Sequence, residues 1–405
     1  MAATKKELIL AALVLLAVPV LVEFAFRIAH VQFEPQLYTA SRDRGWTLRP
    51  GAGGVVAVEN RQYVHINTHG FRDRERTYDK PANTVRIAVL GNSWTEAVQV
   101  PLDKIYSSVL EQKLTQSSCF AGKQAEVLNF GVAGYSTGQE LLTIQQEVWK
   151  YHPDVVIVAF YPARDIVNNM RELNNAVNPE QSPYFVYRDG KLVLDDLFRS
   201  LPALQGQQIL LQNIRYRASQ SVRVLQAINA LQRFGKIRAA MASVKEKAEK
   251  SGVDNLEYTI YAPPSEPIMQ TAWRVTEGLL VAMRDEVIAH GAEFRIVALA
   301  TRPQVIPDHE RRLALMRKLD VPDFSYADNR IRELGAREGI PVTTLAPALS
   351  QYAEANHAYL NGFNSANLGI GHWNETGHRL AAEVIAADLC GATEKSAPQA
   401  AATAR

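Results

Sequence analysis

The chain has 405 residues, of which 47% are hydrophobic, 21% charged and 8% aromatic; this excludes a disordered protein and a small disulfide scaffold. Its 44 Lys and Arg against 42 Asp and Glu give a formal net charge of +2, so a general nucleic-acid-binding surface is not expected. The two cysteines, Cys119 and Cys390, are too few for a four-thiol zinc site, but they can form one disulfide in an oxidising compartment.

The N-terminal residues 1–30 predict a membrane anchor. Lys5 and Lys6 precede an uncharged apolar run at 8–22, and extension to Ala29 brings it to about the 20 residues that a span needs. The positive charge at the N-terminal end predicts anchoring in the inner membrane, with the body in the periplasm or outside the cell. A cleaved signal peptide and a buried soluble helix are the alternatives.

The segment that leads into the main domain, residues 31–80, predicts short strands and loops. The main domain, 81–390, alternates apolar strands with helical patterns, which predicts a three-layer α/β/α fold with a parallel sheet. The predicted strands are 84–90, 125–132, 154–160, 294–300 and 341–346. The predicted helices are 102–114, 139–150, 326–338 and 375–389.

A helical insertion is predicted at about 171–275, between the third and fourth strands. Residues 199–250 contain ten Lys or Arg and two acidic residues, so these helices are predicted to lie near a membrane or an anionic polymer; an ordinary solvated surface is the alternative. The Ala-rich tail at 391–405 is predicted to be disordered.

Two short segments carry candidate chemistry. Ser93 directly follows the first core strand, at the sheet edge where open α/β folds bind ligands, although it is equally an N-cap serine. His372, just before the last helix, is the candidate general base for Ser93. His372 and His378 lack the spacing of a helical metal pair, and no third ligand is evident, so neither a metal nor another cofactor is predicted.

A second serine offers an alternative nucleophile. Ser136 stands in a G-x-S-x-G sequence between a strand and a helix, but a nucleophile elbow normally follows more strands of the sheet. The same loop is better suited to oxyanion binding, because Gly134 allows close approach of its backbone N–H.

Four segments in order resemble the SGNH/GDSL hydrolase superfamily: INTHGFRDRE, RIAVLGNSWTEAVQV, VLNFGVAGYSTGQEL and GHWNETGHRLAAEVIAADL. The resemblance covers about residues 42–165 and 294–390. It implies a flavodoxin-like α/β/α sandwich and the chemistry of esterases, lipases, deacetylases and acyltransferases. By position it implies Ser93 as the nucleophile, His372 as the base, and the N–H groups of Gly134 and Ser93 as oxyanion donors.

Three positions depart from the family pattern. The usual Asp before the nucleophile is Asn92, and the expected oxyanion Asn is Arg164, which binds anions with a different geometry. The triad acid is expected two or three residues before His372, where Gly369 and Ile370 stand. A Ser–His dyad, or an acid from elsewhere such as Asp165, is therefore expected.

The resemblance implies a serine esterase or O-acyltransferase acting on acyl esters, with acetyl esters of a cell-envelope glycan as the expected substrate. The alternative is a catalytically degenerate SGNH module that binds a glycan or serves as a subunit of a membrane complex. Expected partners are thus the membrane, an acylated carbohydrate and membrane-complex proteins, with no nucleic acid.

The flavodoxin-like arrangement also predicts a disulfide. Its first and last helices run in the same direction on one face of the sheet. Cys119 follows the first of these helices and Cys390 ends the last, so their thiols are expected to be neighbours. Two unrelated buried thiols are the alternative.

Overall fold

The computed structural model describes residues 4–117, 119–174, 179–235, 238, 258–364 and 367–396. Its first element is a helix, α1 (Lys5–Ile28), which Thr4 and Glu7 cap reciprocally. Within the described residues, no helix combines the length and the apolar character that a membrane crossing requires. The predicted transmembrane helix is therefore not supported, because charged residues at both ends of α1 leave only 8–22 uncharged.

The segment after α1 forms two antiparallel hairpins. Their strands are β1 (Tyr38–Ser41), β2 (Gly45–Leu48), β3 (Gly53–Val56) and β4 (Gln62–His65). The hairpins share a small apolar core with Tyr135 of the main domain. This packing holds the leading segment against the loop that follows the second strand of the central sheet.

The central sheet has five parallel strands. They are β5 (Thr84–Gly91), β6 (Gln124–Asn129), β7 (Val155–Phe160), β10 (Glu293–Ala298) and β11 (Val342–Thr344), with the β8 (Tyr184–Arg188) and β9 (Lys191–Asp195) hairpin outside it. The strand order is β11-β10-β7-β5-β6. In chain order this is 2-1-3-4-5, the flavodoxin-like order, whose ligands bind at the carboxyl ends of the strands. The predicted α/β fold with a parallel sheet is confirmed.

Helices cover both faces of this sheet. The helices after α1 are α2 (Ser93–Glu96), α3 (Tyr106–Gln116), α4 (Thr137–Gln146), α5 (Pro162–Asn168), α6 (Gly206–Gln220), α7 (223–235), α8 (Pro267–Ala289), α9 (His309–Leu319), α10 (Tyr326–Glu338), α11 (Ala346–Ala355) and α12 (Glu375–Ser396), of which α6 and α7 belong to the insertion and not to the layers on the sheet. α3 packs against α12, whereas α4 and α5 pack against α8. Right-handed crossovers place these two groups on opposite faces.

The insertion differs from its prediction in content and extent. It contains the β8–β9 hairpin as well as α6 and α7, and 239–257 lie outside the described residues. α8 starts at Pro267, inside the predicted insertion, because it buries Trp273, Leu279 and Leu280 in the main core. At the other end of the chain, α12 continues through Ser396, so the tail predicted from 391 is helical to that point; 397–405 lie outside the described residues.

The predicted disulfide is confirmed. Cys119 and Cys390 are bonded, with their Cα atoms 5.0 Å apart. The bond ties the C-terminal side of α3 to α12, whose packing brings the two thiols together. It joins positions 271 residues apart in sequence.

Replacing both cysteines by serine is expected to lower the free energy of unfolding by about 5 kcal/mol at most, because the unfolded chain then loses a very long closed loop. Chemical unfolding of the oxidised wild type, the reduced wild type and the double variant measures this loss. The reduced wild type is the matched control, because it breaks the same bond without changing side-chain volume. Equal stability of all three would contradict the prediction.

Candidate active site

The nucleophile turn lies at the carboxyl end of β5. Asn92 precedes Ser93, and its side-chain oxygen accepts a hydrogen bond from the Trp94 N–H (3.1 Å). Its amide nitrogen donates to the buried carboxylate of Asp165 (2.9 Å), which also accepts from the Tyr161 N–H (2.7 Å). Ser93 is thus the first residue of α2, and the hydrogen bonds of Asn92 hold the turn before it. The Ser93 side chain itself is only partly buried.

Ser93 and His372 lie within hydrogen-bond distance, as expected. The Ser93 hydroxyl and His372 Nε2 are 2.8 Å apart. The imidazole packs beside the indole of Trp94, with ring centroids 4.9 Å apart. A serine hydroxyl on an imidazole nitrogen is the arrangement in which histidine can take the hydroxyl proton.

The other side of the imidazole is held by Glu59. One carboxylate oxygen lies 2.9 Å from His372 Nδ1, and the other accepts the His372 backbone N–H at 2.8 Å. Glu59 stands at the tip of the β3–β4 hairpin, with a left-handed backbone (φ 63°). The side-chain amide of Asn60 fixes this tip by donating to the Gln99 carbonyl (2.9 Å). Ser93, His372 and Glu59 therefore form a continuous hydrogen-bonded row.

The charge state of Glu59 suits a triad acid. Partial burial raises its pKa, but the hydrogen bonds from the His372 side chain and backbone, with the positive charge of Arg302, outweigh burial, so the net pKa lies below the usual range. An ionised Glu59 accepts from Nδ1–H and leaves Nε2 to accept from Ser93. This favours the tautomer that a general base requires, with the Gln99 side chain, 3.0 Å from the same Nδ1, as the second polar contact of that nitrogen.

The acid therefore comes from a position that the sequence prediction did not include. Gly369 and Ile370 supply no carboxylate, and Asp165 binds Asn92 instead of His372. Glu59 precedes His372 by 313 residues and sits in a hairpin turn outside the four family-like segments. The sequence contains no local signal that connects these two residues.

Gly371 makes room for the Glu59 carboxylate. A Cβ atom at this position would lie 2.4 Å from Glu59 Oε2, and the backbone φ of 78° favours glycine. Gly371→Ala is therefore expected to displace Glu59 from His372 and to lower kcat for ester hydrolysis by about 10²-fold or more. In a Glu59→Gln background the same substitution is expected to cost much less. Additive losses in this double-mutant cycle would contradict the steric link.

The loop after β6 lies against α2. A Cβ atom on Gly131 would lie 2.5 Å from the Glu96 N, and the Val132 N–H donates to the Gly91 carbonyl (3.0 Å). The buried Glu96 carboxylate accepts the Ala133 N–H and the Tyr38 hydroxyl. The Glu96 contact fixes the Val132–Ala133 peptide, and the Trp46 indole N–H, which donates to the Ala133 carbonyl (3.0 Å), fixes the peptide that carries the Gly134 N–H.

Two backbone N–H groups remain available in this region. Gly134 has a φ of 79° and is partly exposed, as is Ser93. In the part of the chain that the structure describes, neither the Gly134 N–H nor the Ser93 N–H has a hydrogen-bond acceptor. These groups stay the predicted oxyanion donors, because an oxyanion hole needs donors that the protein itself leaves unused.

Arg164 and Ser136, the two other candidate residues at this edge of the sheet, do not belong to the Ser93–His372–Glu59 row. Arg164 lies on α5 with an exposed side chain, and its predicted role as an oxyanion donor stays a prediction. Ser136 precedes α4 as its N-cap residue, and its side chain is buried. Its burial leaves it poorly placed to attack a substrate.

His378 belongs to the core and not to a metal site. It is 1% exposed, its ring stacks on Tyr106, and its Nδ1 accepts the Tyr106 N–H at 3.3 Å. Burial, with smaller contributions from the charges of Arg72 and His372, lowers the pKa of His378 to about 3. Among the described residues, no group of three His, Cys, Asp or Glu side chains is arranged to hold a metal ion.

The lowered pKa of His378 predicts an acid-sensitive stability. Below its unfolded pKa of about 6.5 the unfolded chain binds a proton that the folded chain excludes, so stability falls as pH decreases towards 3. Between pH 7 and 5, His378→Phe is expected to lose about 2 kcal/mol less stability than the wild type. Urea unfolding at both pH values measures this difference. The exposed His65→Gln variant is the control, and a wild-type pH dependence in His378→Phe would contradict the assignment.

Comparison with known proteins gives structural matches. No protein-family model and no curated protein matches the chain. A catalytic mutant of Axe2, an acetylxylan esterase from Geobacillus stearothermophilus, matches at 9% identity and a TM-score of 0.38, over 75% of this chain and 94% of its own. The acetyl xylan esterase AlAXEase matches at 12% identity and a TM-score of 0.37, over 74% and 98%.

A member of the lipolytic protein G-D-S-L family from Veillonella parvula matches at 12% identity and a TM-score of 0.33, over 74% of this chain and 95% of its own. Of these three descriptions, this one names the G-D-S-L family and the other two name acetylxylan esterases. At such identities the likeness concerns the fold, and the function of this chain depends on its own side chains.

Proposed function

We propose that this protein is a serine hydrolase of carboxylic esters. The observation that carries the proposal is the hydrogen-bonded row Ser93–His372–Glu59 at the carboxyl edge of the sheet. Its serine is partly exposed, its histidine is held in one tautomer by an ionised acid, and unused backbone N–H groups belong to the same edge. Nucleophile, base, orienting acid and oxyanion donors are the parts that acyl transfer needs.

The mechanism follows from these positions. Ser93 Oγ attacks the ester carbonyl carbon while His372 Nε2 takes its proton, and the Gly134 and Ser93 N–H groups bind the resulting oxyanion. His372 then protonates the departing alcohol, which leaves an acyl group on Ser93. Water attacks this acyl-enzyme with His372 again as the base, and the carboxylic acid and free Ser93 are released. Glu59 stabilises the imidazolium in both steps.

The row also bears on the degenerate alternative. One of the three departures that favour a non-catalytic SGNH module is that the usual acid position holds glycine and isoleucine. Glu59 fills that role from another segment, so this reason no longer applies. The remaining departures, Asn92 and Arg164, leave the Ser93–His372 contact intact.

The substrate proposal is narrower and rests on the sequence resemblance. We propose acyl esters, with acetyl esters of a glycan first among them, and either water or a sugar hydroxyl as the acceptor. We also propose an extracytoplasmic location, because a disulfide between Cys119 and Cys390 persists in an oxidising compartment. Assays of acetylated oligosaccharides with and without an added sugar acceptor separate hydrolysis from transfer.

Labelling with a fluorophosphonate probe tests the proposed class of enzyme. The full chain is expected to incorporate one probe, and mass spectrometry of its peptides is expected to place the probe on Ser93. Aryl acetate hydrolysis is expected to disappear in parallel with labelling. A folded protein that the probe does not label and that does not hydrolyse aryl acetate would contradict the proposal. Labelling at Ser136 would identify Ser136 as the nucleophile in place of Ser93.

A further inference from the structure

Exposed apolar side chains are concentrated on three helices. Of the twenty-four large hydrophobic side chains exposed in the described residues, sixteen lie on α1, α6 and α7. On α1 they are Leu8, Ile9, Leu13, Val14, Leu16, Val18, Val20, Leu21, Phe24 and Ile28. On α6 and α7 they are Leu210, Leu211, Ile214, Ile228, Leu231 and Phe234. Such a concentration marks a binding surface, since soluble proteins rarely expose large contiguous apolar patches.

The three helices are joined to one another. Arg27 near the end of α1 donates to the Ser221 carbonyl (2.6 Å), in the turn between α6 and α7. Glu23 accepts the Val224 N–H (2.9 Å) in the first turn of α7. On α7, Arg233 pairs with Glu34, which follows α1 (3.1 Å). We call α1, α6 and α7 together the helical surface.

The helical surface also carries positive charge. Residues 199–235 contain five arginines and no acidic residue, and Lys5 and Lys6 start α1. Arg215 and Arg217 on α6 are exposed. The acids of α1 are already engaged, Glu7 with Thr4 and Glu23 with Arg27 and Val224. The helical surface therefore combines exposed apolar side chains with exposed cations, and among the described residues Arg215 and Arg217 have no acidic partner.

We propose that the helical surface binds an anionic lipid bilayer at its interface. A bilayer accepts both components: acyl chains take the apolar side chains and acidic headgroups pair with the arginines. A polyanion matches only the cations. A second copy of this surface matches the apolar side chains but brings like charges together.

The helical surface is connected to the candidate active site. Asn213 on α6 accepts from Arg49 (2.6 Å), which follows β2. The Trp46 indole of β2 donates to the Ala133 carbonyl (3.0 Å), in the loop that carries Gly134. Membrane binding through α6 would thus hold the main domain close to the bilayer. The connection runs from α6 through the β2 segment to the loop that carries Gly134.

Vesicle co-sedimentation of the full chain tests the proposal. The protein is expected to bind phosphatidylcholine vesicles that contain phosphatidylglycerol, and to bind more weakly at high ionic strength. Arg215→Gln with Arg217→Gln is expected to weaken this binding about 25-fold, since each cation near an anionic surface contributes about fivefold. Leu210→Ser with Ile214→Ser is expected to weaken it at both ionic strengths. Arg311→Gln and Ile288→Ser, exposed residues elsewhere, are the matched controls.

Hydrogen exchange separates a shared surface from binding by α1 alone. Vesicles are expected to protect amides in both α1 and α6, with α10 unchanged. Protection confined to α1, or wild-type binding by the α6 variants, would overturn the proposal. Binding to heparin but not to vesicles would show that the helical surface binds a polyanion. Self-association that protects the amides of these helices, without binding to vesicles, would show that the surface binds a second copy of the chain. Unchanged hydrolysis of a soluble aryl ester shows that the variants fold.

Discussion

Replacing Ser93 by alanine is expected to lower kcat for aryl acetate hydrolysis by about 10⁶-fold and to abolish fluorophosphonate labelling. The Ser93 hydroxyl, 2.8 Å from His372 Nε2, is the atom that forms the covalent bond in the proposed reaction. Without it His372 has no proton to take, and only the oxyanion donors remain to assist attack by water. Steady-state kinetics and labelling of the purified full chain measure both effects.

Ser136→Ala is the matched control for this experiment. Ser136 also lies between a strand and a helix, but its side chain is 1% exposed, so its replacement is expected to change kcat by about twofold at most. Substantial activity in Ser93→Ala, together with inactivity in Ser136→Ala, would transfer the nucleophile to the G-x-S-x-G loop. Equal unfolding midpoints of the two variants would show that a difference in kcat between them does not come from a difference in stability.

Replacing Glu59 by glutamine is expected to lower kcat by about 10³- to 10⁴-fold with little change in KM. Glutamine keeps the shape of the side chain but removes the charge that stabilises the imidazolium and fixes the Nδ1–H tautomer. Glu59→Asp keeps the charge on a shorter side chain and is expected to recover part of the lost kcat. Fluorophosphonate labelling should slow in the same order, because it uses the same activation of Ser93.

Glu75→Gln is the control for Glu59→Gln, since Glu75 is an exposed acid of the same segment that contacts Thr68 and not His372. Wild-type kcat is expected in this variant. If Glu59→Gln also kept wild-type kcat, the site would function as a Ser93–His372 dyad. That result would leave the proposed esterase standing and would remove only the triad acid.

The central sheet was predictable because its signals are local. Each strand is a continuous apolar run, and buried parallel strands require that pattern. The carboxyl ends of parallel strands lie at one edge of a sheet. The sequence alone therefore predicts that Ser93, after β5, and His372, before α12, lie at the same edge. Element ends were less accurate: α3 begins at Tyr106 and not at Leu102, because Leu102–Lys104 form a separate 3₁₀ turn after Pro101.

The sequence by itself determined the α/β class and the strand elements, and it predicted the candidate pair Ser93 and His372 and the pairing of Cys119 with Cys390. Only the tertiary structure decided that Glu59 is the acid on His372, that Asp165 braces Asn92, and that α1 joins the insertion helices. The physical reason is the range of each interaction. Hydrophobic periodicity and helix caps depend on residues a few positions apart, whereas Glu59 reaches His372 across 313 positions through the packing of a hairpin.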